Sequence, residues 1–182
     1  MAERAQRVTP AAGIVEALAR RRVALGFLTA LLAIVLAQPT WASWRIGLVV
    51  AVAGEVIRVW AAGHLEKSRE VTRSGPYRWT RHPLYLGSSV IALGVVLASR
   101  SIVIGIVAAI YMSATIVAAI RTEEAFLRRA FGSTYDQYRR SEAEPMERPF
   151  SLERVVRNRE YRAIVGLGVG FALLALKAML PI

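Results

Sequence analysis

The chain has 182 residues, 55% of them hydrophobic, yet carries 24 Lys and Arg against 13 Asp and Glu, a formal net charge of +11. A nucleic-acid binder spreads such charge over a polar surface, whereas here it is confined between long apolar runs, which points to an integral membrane protein and to no nucleic-acid partner. The absence of Cys excludes disulfides, thiolate catalysis and Cys-ligated metal, and two His are too few for a His-rich site, so no metal is expected.

Residues 1–22 are polar and Arg-bearing and suit a short surface helix. The first apolar run, 23–37, begins too late for a secretory leader and has no small-residue cleavage site after it. Further runs follow at 46–62, interrupted by Glu55 and Arg58, then at 84–99, 101–120 and 163–182, the last broken only by Lys177. A helix needs about 20 residues to cross about 30 Å of hydrocarbon. The first and third runs are shorter than that, but Trp41, Trp44, Tyr77 and Trp79 stand beside them as interfacial anchors. The expectation is an all-α membrane bundle of five transmembrane helices. It forms one domain: a segment 1–22, a core 23–140, a loop 141–162 and a final span 163–182.

Basic residues orient it. Segments 1–22 and 63–82 hold five Lys or Arg each and 121–162 holds ten, whereas the two remaining loops hold one each, Arg45 and Arg100. The alternation predicts a cytoplasmic N-terminus and an external C-terminus. In the last run, Gly166, Gly168 and Gly170 offer a small-residue face, for close packing within the monomer or for dimerisation.

The third and fourth runs are joined only around Arg100, which predicts a tight antiparallel hairpin. At about 1.5 Å per residue the two runs have similar lengths, so Arg81-His82 before the third and Glu123-Glu124 after the fourth meet at the membrane–cytosol boundary. Pro83 suits a helix first turn, and free amides there form a seat for an anion. Two cationic donors facing two carboxylates suit a ligand carrying both a carboxylate and an ammonium. They equally suit an interfacial salt-bridge cluster that holds the hairpin. Glu55 and Arg58, three apart, either form a structural ion pair or leave Arg58 to turn inward onto a substrate anion. From Glu123 to Tyr138 the pattern predicts a cytosolic amphipathic helix, with Phe126, Leu127, Ala130 and Phe131 on one face, ended or bent by Gly132 and lying in part on lipid headgroups. Residues 141–150 read as a loop.

Residues 75–87, GPYRWTRHPLYLG, resemble the G-P-Y-x-x-x-R-H-P-x-Y-x-G signature of the isoprenylcysteine carboxyl methyltransferase family. Glu123 to Tyr138 is similar to that family's E-E-x-x-L-x-x-x-F-G-x-x-Y-x-x-Y motif, and Arg58-x-Trp60 also suits it. The resemblance covers roughly 50–140. It implies a membrane-embedded methyltransferase using S-adenosylmethionine, related in fold to phospholipid N-methyltransferases, with a lipophilic substrate entering from the bilayer among the membrane lipids. By motif position it implies Tyr77, Arg81, His82, Pro83, Tyr85, Gly87, Glu123 and Glu124 as cofactor-binding residues. The glutamates would take the methionine ammonium or the ribose hydroxyls, and Arg81 or His82 the carboxylate. Arg58 and His82 are the candidate catalytic residues. A carboxylate acceptor requires no base; an amine requires one, and His82 is the nearby side chain suited to it. Carboxyl methylation of an isoprenylated cysteine is the first expectation, N-methylation of a phospholipid or another lipophilic amine the second. A sterol-type reductase using NADPH is a third, disfavoured by the lack of a further phosphate-binding glycine loop. The acidic stretch Glu142, Glu144 and Glu147 and the additional last span set the C-terminal side apart from the family pattern.

Overall fold

The computed structural model describes residues 24–144 and 146–180. Segment 1–22, with its expected surface helix, lies outside them. The described residues are helical, with no strand among them. The helices are α1 (Ala24–Leu36), α2 (Trp41–His64), α3 (Pro83–Ser99), α4 (Ile102–Arg139), α5 (Leu152–Arg157) and α6 (Tyr161–Met179), with one 3-10 turn at Gly75–Arg78. By length and composition α2, α4 and α6 are long and apolar enough to cross a membrane; α1 and α3 are shorter apolar helices. Large apolar side chains such as Phe27, Val49, Ile102, Ile110, Val165 and Leu176 are exposed along the outward faces. An apolar surface of that extent is a liability in water and is what a lipid solvent accepts.

Local chemistry sets the helix limits. Thr40 and Ser43 form a reciprocal capping box at the start of α2, Ser43 N–H donating to Thr40 Oγ1 at 3.2 Å and Thr40 N–H to Ser43 Oγ at 3.0 Å. Pro83 occupies the first position of α3, where its missing N–H costs nothing. Arg100 adopts a left-handed conformation that ends α3, and Ser101 caps α4 by accepting from the Ile104 amide.

The most extensive interhelical contact among the described residues is between α2 and α3. Small residues make it possible. Gly47 lies against Gly94 and Ala98, and Gly54 against Gly87 and Ile91. A Cβ at Gly47 would stand 2.4 Å from the Gly94 carbonyl oxygen, and one at Gly54 2.7 Å from that of Gly87. Without a hydrophobic drive between helices in lipid, such close backbone approach is the main source of association. The closest helical approach is therefore α2–α3, while α3 and α4, joined through Arg100 and Ser101, touch less extensively. Of the two uses expected for the small-residue face of the last span, close packing within the monomer is not found among the described residues: nothing described lies within 4 Å of a Cβ built at Gly166, Gly168 or Gly170. At the end of the bundle around Arg100, Ala33, Ala37, Ala51, Ala98, Ile104, Phe171 and Leu174 form the core. Trp44 Nε1–H donates to the Phe171 carbonyl at 2.9 Å, and Lys177 Nζ donates to the Ile34 carbonyl at 2.9 Å, so the one charge in the last run caps the end of α1.

The opposite end is polar. Carbonyls at the C-terminal end of α2 are bonded by the C-terminal segment. Asn158 Nδ2–H donates to the carbonyls of Ala62 and Leu65 (2.9 and 3.0 Å), and Arg154 Nε–H to that of Gly63 (2.6 Å). Glu66 pairs with Arg157 at 2.6 Å, and Glu70 with Arg148 at 2.7 Å. The stretch 141–162, expected as a loop, thus contains the short helix α5 and a dense set of tertiary bonds.

Up to its bend at Gly132, α4 rises about 45 Å, half again the hydrocarbon thickness, so its end stands clear of the apolar layer. The helix predicted from Glu123 onward is the direct continuation of the fourth run. It bends at Gly132, whose φ of 48° and ψ of −121° suit glycine alone.

Candidate functional site

The bend at Gly132 turns the end of α4 back over the segment between α2 and α3. Tyr135 is fully buried there, and the Tyr138 hydroxyl donates to the Tyr77 carbonyl at 2.7 Å. Gly75 opens the 3-10 turn with a φ of +56°, in a place where a Cβ would strike the His64 ring. Two glycines of the sequence motifs, Gly75 and Gly132, therefore shape the backbone that holds Tyr77 and Tyr138.

At this junction the structure brings together the two pairs expected to meet. Arg81 Nη1–H donates to Glu124 Oε1 at 3.0 Å, and His82 Nε2 lies 3.4 Å from the same oxygen. The Tyr85 hydroxyl donates to Glu123 Oε2 at 2.9 Å, and the His82 and Tyr85 rings stack at 5.8 Å. His82 thus sits between both glutamates. Its Nδ1, 3.9 Å from Glu123 Oε2, is buried and has no hydrogen-bond partner among the described residues. The cluster is still open to solvent: the side chains of Arg81 and Glu123 are each 41% exposed. Beside it lies a polar recess of about 240 Å³ bordered by Tyr77, Arg78, Arg81, Tyr138 and Arg139.

The electrostatics favour fixed charges and neutral phenols. Burial pushes the Glu124 carboxyl up, but hydrogen bonding from His82, with Tyr135 and Arg81 alongside, outweighs it and holds the group below the ordinary carboxylate range. Burial, reinforced by Glu123, pushes the Tyr77 phenol up, and burial pushes Tyr138 up to about 12. Both tyrosines therefore remain protonated donors.

The other expected residues hold different posts. Pro83 is fully buried at the start of α3. Of the amides that α3 leaves outside its i→i−4 ladder, that of Tyr85 donates back to the His82 carbonyl and that of His82 to the Thr80 hydroxyl, so the expected anion seat is reduced. Gly87 lies at the α2–α3 contact, where a Cβ would meet Arg58 Cγ at 2.6 Å. Arg58 is not part of the cluster. Its guanidinium closes on Glu160 at 2.6 Å and bonds the Ser88 hydroxyl, while Glu55 stands off at 3.8 Å. The expected Glu55–Arg58 ion pair is present at 3.8 Å, but the closer partner is Glu160, which lies 102 residues away with no local pattern to mark it.

Among the described residues no group of three or more His, Cys, Asp or Glu is placed to hold a metal ion. What the fold and the site define is an apolar helical bundle with an interfacial cluster of paired opposite charges. The comparisons place it further: residues 22–134 match the model of the phospholipid methyltransferase family, and the chain belongs to that family, which includes the isoprenylcysteine carboxyl methyltransferases. With its three long apolar helices this makes it a membrane protein of a methyltransferase family. It is 32% identical over 109 residues to the nickel-cobalt-cadmium resistance protein NccN of Alcaligenes xylosoxydans xylosoxydans, covering 57% of this chain and 51% of that protein. It is equally 32% identical over 109 residues to the cobalt-zinc-cadmium resistance protein CzcN of Cupriavidus metallidurans, covering 57% of this chain and 50% of that one. The chain spans about half the length of these curated relatives. No solved structure matches it.

Proposed function

We propose that this chain is an S-adenosylmethionine-dependent methyltransferase that modifies a membrane-partitioned acceptor, foremost the carboxylate of an isoprenylated cysteine. In this reading five helices cross the bilayer and the site faces the cytosol, as the distribution of Lys and Arg favours. The observation that carries the proposal is the meeting of Arg81 and His82 with Glu123 and Glu124 at the apolar–polar boundary of a chain in this family.

The donor set fits the cofactor's zwitterionic end. Glu123 and Glu124 accept from an ammonium or from ribose hydroxyls, and Arg81 is partly exposed and free to swing towards a carboxylate. The buried, unpartnered Nδ1 of His82 is a polar atom awaiting a ligand. Tyr77 and Tyr138 fix the wall of the recess. When bound, S-adenosylmethionine supplies a methyl group already activated by its sulfonium. The residues then have to align the acceptor and exclude water rather than activate a leaving group. A carboxylate acceptor asks for no proton transfer. The description of the family as phospholipid methyltransferases favours a second reading, N-methylation of a lipid amine, in which His82 between the glutamates would accept the proton.

Calorimetric titration of the detergent-purified chain with S-adenosylhomocysteine tests the cofactor. Saturable binding that Glu124→Gln and His82→Ala each weaken at least tenfold is expected; no binding by folded wild-type protein overturns the proposal. Product analysis with a prenylcysteine and with an ethanolamine lipid then separates the two acceptors.

A further inference from the structure

A groove outside the charged cluster runs between α2 and α6. The face of α2 that carries Gly47, Ala51 and Gly54 is closed by α3. Another face, with Leu48, Val52, Val56 and Val59, fronts Ile164 and Leu167 of α6 across about 560 Å³, within the range of ligand sites. Since α6 lies beyond residue 134, the part of the chain that matches the family does not build this groove by itself.

The groove offers nothing to a charge. Its lining is apolar or aromatic apart from the stem of Glu55, whose two carboxylate oxygens are buried away from it. An uncharged hydrocarbon chain suits such walls, held by dispersion along its length. From Leu48 to Trp60 the groove follows α2 for about 18 Å, room for an extended chain. Val56 and Ile164 on its two walls are exposed, so it is open sideways to lipid. Its polar end is marked by Trp60 and Phe150. There the Trp60 ring meets that of Trp79, centroids 5.4 Å apart, and Trp79 also borders the polar recess beside Arg81. The tryptophan pair stands where the apolar groove gives way to the recess of the charged cluster.

We propose that the α2–α6 groove holds the hydrocarbon chain of the methyl acceptor, a single prenyl chain whose polar end passes the Trp60–Trp79 pair towards the recess. This rests on the methyltransferase reading and adds to it specificity residues from beyond the family match, Ile164, Leu167 and Gly168. Gly168 is the most telling of them. A Cβ there meets nothing within 4 Å, so the chain occupies the space that the missing side chain leaves.

The full chain in phosphatidylcholine nanodiscs would be irradiated with an S-prenylcysteine bearing a diazirine on its prenyl chain, with and without excess unmodified S-prenylcysteine. Peptide mass spectrometry is expected to place the competed label on α2 and α6, among Val52, Val56, Ile164 and Leu167. Gly168→Leu fills the groove. It should cut the competed label at least tenfold and raise the KM for S-prenylcysteine by as much, with the affinity for S-adenosylhomocysteine unchanged. Gly166→Leu, equally open but off the groove, should change none of these. Thermal unfolding reports the folding of both variants. Competed label on other helices, no competed label, or wild-type labelling by folded Gly168→Leu overturns the proposal. The underlying reading fails separately, on wild-type binding of S-adenosylhomocysteine, because the labelling needs no turnover.

Discussion

Two arginine–glutamate clusters with nearly the same components behave differently because of where they sit. Arg81 with Glu124 lies at the open junction, its arginine 41% exposed and its carboxylate shared with His82. Arg58 with Glu160 lies within the helices, its side chains 20% and 6% exposed, and Arg58 also bonds Ser88 on α3. In the first, water can replace either partner, so the pair is weak as a brace and available to a ligand. In the second, both partners are shielded from water and the pair joins three helices, so it is poorly suited to exchange. The motif that marks this family falls on the exchangeable cluster, and the fixed cluster uses a glutamate from outside the matched region.

The sharpest way to break this contrast is Arg58→Ala. It strands Glu55 and Glu160 together in an apolar setting, and the expected loss is about 3–5 kcal/mol. Thermal unfolding in detergent should show little or no folded protein, and a near-normal transition would refute the structural role. Next in size, Gly54→Val drives a side chain into the Gly87 carbonyl and should cost about 1–3 kcal/mol. The same measurement checks it, with Gly166→Val as a near-silent comparison because the space there is open. Glu124→Gln should barely move the unfolding temperature, since its pairs are partly exposed, but should weaken S-adenosylhomocysteine at least tenfold, about 1.4 kcal/mol by titration. The smallest effect is in pH. Because the Glu124 carboxyl is held below the ordinary carboxylate range, its contribution is full above that range and is lost as pH falls through the lowered value. The small difference in unfolding temperature between wild type and Glu124→Gln should therefore stay level from neutral pH to about 5 and shrink below it.

The contrast also marks what the linear chain discloses. Arg81-His82 and Glu123-Glu124 could be brought together on paper because two apolar runs of similar length, joined by a single short loop, leave them nowhere else to be. The bend at Gly132 was legible for the same kind of reason, a glycine inside an amphipathic pattern. The α2–α3 contact was present as Gly47, Gly54, Gly87 and Gly94, two pairs each seven residues apart, but a glycine repeat does not say which helix it faces. The denser repeat at Gly166, Gly168 and Gly170 drew attention to a surface that closes on nothing described. The Arg58–Glu160 pair depends on how 141–160 returns to α2, and that route is set by tertiary bonds rather than by periodicity.

That return also has a consequence in time. The carbonyls at the end of α2 wait for Arg154 and Asn158, which are synthesised more than 90 residues later. At about 5–20 residues per second, several seconds pass on the ribosome before that helix end is closed. During that interval α2 and α3 are both made but the lip above them is unfinished, so Arg148, Arg154 and Asn158 close a helix end that was synthesised long before them.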